Sequence, residues 1–314
     1  MKTKKLTIIK NQHLTWYDLE SPQKEEYEML KKKFHFHPLD IQDCISPVQR
    51  PKIDEYDDYI FLIIRLPYYK KREKVILASE LDIFIGKDYL ITIHRGKVST
   101  LKGFVEECQN YEEIREKYLK YGPGFLLYEI LKRMFDRCYP LLDSIGTEID
   151  RVENRMFHGH EKETVKTIAN IKRNTINFRK IMKAHRQVIK KIIKSDKFFL
   201  NLNGAHSNYK TITYKNILEE IENIWDILDG HAETIFALDR TNETLISHQL
   251  NKVMKTLTII SAIFLPASLI TQFFGISFGD APFTKNLIGI FGILFAIILT
   301  SLLMVLFFRG KKWL

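Results

Sequence analysis

The chain has 314 residues, with 48 Lys and Arg against 38 Asp and Glu for a net charge of +10. Its mean hydropathy of −0.17 describes a mostly soluble polypeptide that can bury a sizeable core. Three separated cysteines, Cys44, Cys108 and Cys138, form no CxxC pair, which argues against a disulfide framework or zinc knuckle and for a reduced compartment.

The start, Met1 to Lys5 followed by Leu6 to Ile9, is basic but lacks the apolar core of a signal peptide, so the N-terminus is expected to stay in the cytosol. Tyr59 to Leu66, Leu81 to Ile85 and Tyr89 to His94 are short β-branched and aromatic runs that read as strands. Gly86-Lys87-Asp88 between the last two suits a hairpin. Helical patterns surround them at Gln23 to Phe34 and Thr100 to Gln109, and Gly122-Pro123-Gly124 ends this α+β domain.

Within His37-Pro38-Leu39-Asp40-Ile41-Gln42-Asp43-Cys44 a histidine, two carboxylates and a thiol cluster, but no spacing of the HExxH kind is present. Asp40 and Asp43 read as helix-start residues, or as ion-pair partners of Arg50 or Lys52, rather than as a catalytic pair. Asp54, Glu55, Asp57 and Asp58 likewise read as a solvated acidic turn rather than a cation site.

From Phe125 to about Lys197 the pattern is helical, interrupted near His158-Gly159-His160, and it resumes from about Tyr209 straight into an apolar stretch. Between Arg151 and Lys197, bases such as Lys172, Arg179, Arg186 and Lys194 interleave with Ile and Val without an aromatic stacking platform. That argues for a charged helix face and against nucleic acid. No Gly or Pro separates Ala232 from Leu265, so the last soluble helix and the first membrane helix are expected to form one rod, bent locally at Pro266.

Leu257 to Gly275 carries no ionised side chain, and Leu287 to Phe308 is apolar all round, each close to the length a helix needs to cross a bilayer. Lys252 and Lys255 precede the first run, and Arg309, Lys311 and Lys312 follow the second. The connection between them carries only Lys285 and Asp280, so both ends are expected on the cytosolic side, with Trp313 at headgroup level. Asn251, Met254, Leu257, Ser261, Leu265, Ser268 and Gln272 recur at steps of three and four and share one helix face. That polar stripe would line a pore built from several copies, or serve close helix packing; periodicity alone leaves both open. With no phosphate-binding glycine loop or nucleophile elbow, neither an ATP-driven pump nor an enzyme is indicated.

The segments HPLDIQDCISPVQRPKIDEYDDYIFLIIR (His37 to Arg65) and NKVMKTLTIISAIFLPASLITQFFG (Asn251 to Gly275), with the basic C-terminal KKWL, resemble the CorA-type divalent cation transporters over essentially the whole chain. The resemblance implies a funnel-shaped homopentamer in the inner membrane, with both termini cytosolic. It divides the chain into an α/β domain (1–122), a helical stalk (123–250), a pore-lining helix (251–275), an external loop (276–286), a second span (287–308) and a basic tail (309–314). By the same resemblance Asn251 is the cytosolic-mouth residue, Met254 and Leu257 are the hydrophobic gate, and Leu265 and Ser268 are mid-pore positions. The family's Gly-Met-Asn signature falls on Gly275-Ile276-Ser277, which keeps only the glycine. Ser277 offers a shorter acceptor than an amide, and Gln272 is expected to supply an amide ring one turn deeper.

The implied activity is passive uptake of Mg²⁺, with Co²⁺ and Ni²⁺ as further candidates, gated by the cytosolic domain; the cation is cargo, and no cofactor is expected. Partners are then the lipid bilayer, divalent cations and further copies of the chain. Two alternatives remain at this level: a ZntB-like zinc transporter, for which His248 is the lone soft ligand near the stripe, and a membrane-anchored sensor or scaffold that does not conduct.

Overall fold

The β-branched runs of the first hundred residues assemble one six-stranded mixed sheet. The computed structural model describes residues 6–46, 50–96, 98–195, 197, 208–275, 287–311 and 313. Its strands are β1 (Leu6–Lys10), β2 (Thr15–Glu20), β3 (Lys52–Glu55), β4 (Tyr59–Lys70), β5 (Val75–Gly86) and β6 (Tyr89–His94), in the order β1-β2-β6-β5-β4-β3. β2 and β6 run parallel, and the other neighbours are antiparallel.

All three predicted strands are present. β4 and β5 are longer than their apolar runs, because their pairing continues without a break from Tyr59↔Gly86 to Lys70↔Val75. Pro67 is accommodated within β4 because β3 flanks that strand only as far as Ile63, leaving one edge where a missing N–H is tolerated. β2 escapes the pattern because Asp18 sits at an inward position. The sheet satisfies it there: Thr92 Oγ1 donates to Asp18 at 2.5 Å, and His94 Nε2 lies 3.4 Å from the same carboxylate.

Helices cover both faces. On one side lie α1 (Lys24–Phe34) and α2 (Pro38–Ile45) over Phe36, Phe61, Phe84 and Ile91. α1 starts at a capping box in which the Glu26 carboxylate accepts from the Gln23 N–H at 2.6 Å. At α2 the reading of Asp40 and Asp43 as helix-start residues holds for Asp40, which lies in the first turn without capping it, and is corrected for Asp43, which lies past the helix middle. His37 is the cap, its Nδ1 accepting from Leu39 N–H at 3.3 Å, with Pro38 in the first turn. Asp40 is instead buried at 1 % exposure, accepting from Tyr59 Oη at 2.7 Å and Tyr56 Oη at 3.1 Å. The other expectation for this segment, an ion pair between Asp43 and Lys52, is present at 2.7 Å.

The opposite face carries α3 (Ser99–Asn110), α4 (Glu112–Leu119) and α5 (Pro123–Asp136), where Trp16 packs its ring 5.3 Å from that of Phe104. Next come α6 (Cys138–Phe157), α7 (Glu161–Met182) and α8 (His185–Lys194), α6 giving way to α7 at the expected break, where Gly159 takes φ 87°. α9 (Asn208–Gly275) is a single helix of 68 residues, and α10 (Leu287–Gly310) is the last. The chain divides into two compact units, one ending at Asp239 and the other beginning at Arg240. In the first unit Tyr214, Ile217, Ile221, Ile224, Leu228 and Ile235 of α9 are buried at steps of three, four and seven. Lys172, Arg179 and Arg186 stay partly exposed, as the charged face read from the sequence requires, and there they pair with Asp239, Asp229 and Glu222 of α9.

Candidate ion pathway

The C-terminal unit holds the end of α9 and all of α10, the two helices long and apolar enough to cross a membrane among the described residues. In the apolar windows of the two helices 6 % and 0 % of residues are buried, so neither is the core helix of a soluble domain. α10 has no polar face, as its sequence predicts.

Every stripe residue with a described side chain lies on an exposed side of α9: Asn251, Met254, Leu257, Ser261, Leu265, Ser268 and Gln272. The covered positions fall between them. Ile259, 7 % exposed, is two residues from both Leu257 and Ser261, and the half-buried Ile263 and Ile270 bear the same relation to Ser261, Leu265, Ser268 and Gln272. Two residues are slightly more than half a turn, so the covered face and the stripe are opposite sides of one helix. Gly275 ends α9, while Ile276 and Ser277 lie outside the described residues.

Polar groups along this helix divide into two kinds. Thr258 donates to Met254 O and Thr271 to Ala267 O, both at 2.8 Å, so these hydroxyls are satisfied by their own backbone. Ser261, Ser268 and Gln272 make no such bond among the described residues, and at membrane depth they require a partner from outside the chain or water. Pro266 lies inside α9, and its missing N–H leaves the Ala262 carbonyl without its usual donor. Near the other end of the apolar stretch the Lys255 ammonium lies over the Trp313 ring, 5.5 Å from its centroid, and Trp313 stacks on Phe308.

The polar groups of the N-terminal unit do not converge on a metal. Among the described residues no set of three His, Cys, Asp or Glu side chains is arranged to hold an ion. In the acidic turn Asp54 bonds Lys52, Glu55 accepts from Ser195 Oγ at 2.9 Å, and the fully exposed Asp57 reaches Lys197 at 3.5 Å. One feature escapes sequence reading altogether. Asp82 is buried beside Cys44 although the two stand far apart in the chain, and the available signal is a carboxylate at the inward parity of a strand whose neighbour in that parity is Phe84.

The family model described as CorA-like Mg²⁺ transporter protein matches residues 11–312. The chain belongs to the CorA-like Mg²⁺ transporter family. A cobalt/magnesium transport protein CorA from Thermotoga maritima is 26 % identical to it, over 90 % of this chain and 78 % of the relative. The complete structure of the CorA magnesium transporter from Methanocaldococcus jannaschii superimposes with a TM-score of 0.81 at 22 % identity, covering 96 % of this chain and 92 % of that one. The ZntB cytoplasmic domain from Vibrio parahaemolyticus shares the fold more loosely, with a TM-score of 0.56 at 14 % identity over 76 % of this chain. The CorA likeness thus spans both units, the apolar helices included.

Proposed function

We propose that this chain conducts divalent cations passively, Mg²⁺ first and Co²⁺ or Ni²⁺ as further cargo, through a pore on the axis of a homopentamer. The observation that carries the reading is the division of α9 into a covered face and an exposed face that holds the unsatisfied Ser261, Ser268 and Gln272. A wet axis shared by several copies gives those groups hydrogen-bond partners; lipid does not. Asn251 forms the inner mouth, Met254 and Leu257 the apolar constriction, and Ser261, Leu265 and Ser268 the wall. Gln272 then supplies a ring of amide oxygens that reads the cation through its water shell, a mode suited to Mg²⁺ because it sheds water reluctantly. Gly275, Ile276 and Ser277 form a wider outer ring.

In this reading the chain lies in the inner membrane with both termini cytosolic. The α/β domain gates the pore by way of α9, whose continuity from Asn208 to Gly275 supports the coupling. Flux assays on purified protein in liposomes, with Mg²⁺, Co²⁺, Ni²⁺ and Zn²⁺ supplied separately, test it. Saturable Mg²⁺ flux is the expected result. Zn²⁺ flux without Mg²⁺ flux assigns the chain to zinc transport, and no flux of any ion leaves a sensor or scaffold.

A further inference from the structure

A cavity of about 520 Å³ opens between α1, α2 and the β5–β6 pair, and Asp82 forms part of its wall. Asp82 is 3 % exposed, and its Oδ1 is buried with no hydrogen-bond partner. The thiol of Cys44 on α2, itself 2 % exposed, is the group bonded to this carboxyl.

The charges around Asp82 do not neutralise it. From α2, Asp43 is taken by Lys52 at 2.7 Å. Arg95, just past β6, donates from Nη2 to Ile45 O at 3.0 Å and Ser46 O at 3.3 Å, which commits it to the end of α2. Glu80, two residues earlier on β5, adds a like charge. From α1, Tyr27 donates its hydroxyl to Cys44 O at 3.2 Å, with Lys24 and Glu28 farther along the cavity wall, and His94 there belongs to Asp18. A buried carboxylate with an empty oxygen and no cationic partner is heavily penalised. Because Oδ1 is out of solvent's reach, neither a metal ion nor an organic ligand meets it while the cover is closed, whereas a proton relieves the charge in place.

We propose that Asp82 and the α1–α2 cover form a proton-operated latch, closed over the neutral carboxylic acid and released when that acid gives its proton to solvent. Burial, reinforced by Glu80, raises this carboxyl from 3.8 to about 8. The closed cover therefore holds the proton that the opened one gives up. Closure is strongest below pH 3.8 and weakens as pH rises towards about 8, above which both forms are ionised and the dependence levels off. The titration falls where neutral solutions lie, so modest alkalinisation reaches it.

Hydrogen exchange of the α1 and α2 amides in the full-length protein tests the latch, corrected for the intrinsic pH dependence of exchange. In the wild type the opening equilibrium rises about tenfold per pH unit from roughly pH 5 to 7.5 and flattens above 8. In Asp82→Asn, which mimics the neutral acid, that slope is lost. Infrared difference spectra between the two proteins at pH 6 show a carboxylic-acid carbonyl band that fades by pH 9.5. A flat wild-type profile, a slope that persists in Asp82→Asn, or a missing acid band overturns the proposal. The wild-type profile decides it even if the variant does not fold, and none of these readouts depends on ion flux.

Discussion

The Arg179 guanidinium of α7 meets the Asp229 carboxylate of α9 at 2.9 Å, midway between Lys172–Asp239 at 2.9 Å and Arg186–Glu222 at 2.8 Å. As the number rises through α7 into α8, where Arg186 lies, it falls along α9, so the pairs mark an antiparallel register. Each partner is a third to a half exposed, which leaves any one bridge worth no more than about 1 kcal/mol. The apolar seam beneath carries the stability. Arg179→Ala should therefore shift the thermal midpoint of the solubilised protein only slightly. Ile224→Ala, at a fully buried position, should cost about 2–5 kcal/mol. Equal shifts in the two variants would contradict this ranking.

Acid should loosen the first unit at His185. This ring is fully buried against Phe135, its Nε2 accepting from Arg65 N–H at 3.4 Å and its Nδ1 lying 3.2 Å from Met182 O, an arrangement that suits the neutral imidazole. Burial pushes it down from 6.5 to about 4. Its contribution is present above pH 6.5 and is lost as pH falls towards 4, a loss of roughly 3 kcal/mol across that window. Denaturant unfolding at pH 7 and pH 4.5 measures it. His185→Asn should be less stable at pH 7 yet show a flatter pH dependence, and an unchanged slope would assign the acid sensitivity elsewhere.

The β5–β6 hairpin depends on the absence of a side chain at Gly86. A Cβ there would run into the Tyr89 ring, and that ring is pinned 4.6 Å from Phe34. Gly86→Ala should cost about 1–3 kcal/mol through overpacking. Adding Tyr89→Ala to Gly86→Ala should recover part of that loss, whereas additive losses would mean that the clash is relieved some other way.

What the sequence discloses tracks what is local. β4, β5, β6, both apolar helices, the break at Gly159 and the α9 stripe all rest on residues within a turn or a strand of each other. The misses are long-range. β2 hides because Asp18 finds Thr92 and His94 on β6, and Asp40 is a buried tyrosine acceptor because β4 and the turn before it bring Tyr59 and Tyr56 to α2. Likewise the bases of α7 and α8 find acids on α9 that lie 36 to 67 positions away in the chain, a distance at which no periodicity announces a partner.

Neighbouring residues on α9 provide the sharpest check on the pore. Thr271 and Gln272 are adjacent and both exposed, yet the Thr271 hydroxyl is already bonded to Ala267 O, while the Gln272 amide has no bond among the described residues. If the stripe faces water and cargo, the amide contributes a contact to the hydrated cation of the kind worth about 1.5–3 kcal/mol, or tenfold and more in rate. Gln272→Ala should then reduce Mg²⁺ flux at least about tenfold in liposomes, and Gln272→Asn should retain part of it. Thr271→Val should leave flux near the wild-type rate, because its hydroxyl serves only its own helix. Full flux through Gln272→Ala, or an equal loss in Thr271→Val, would place the amide outside the ion path and return the stripe to helix packing.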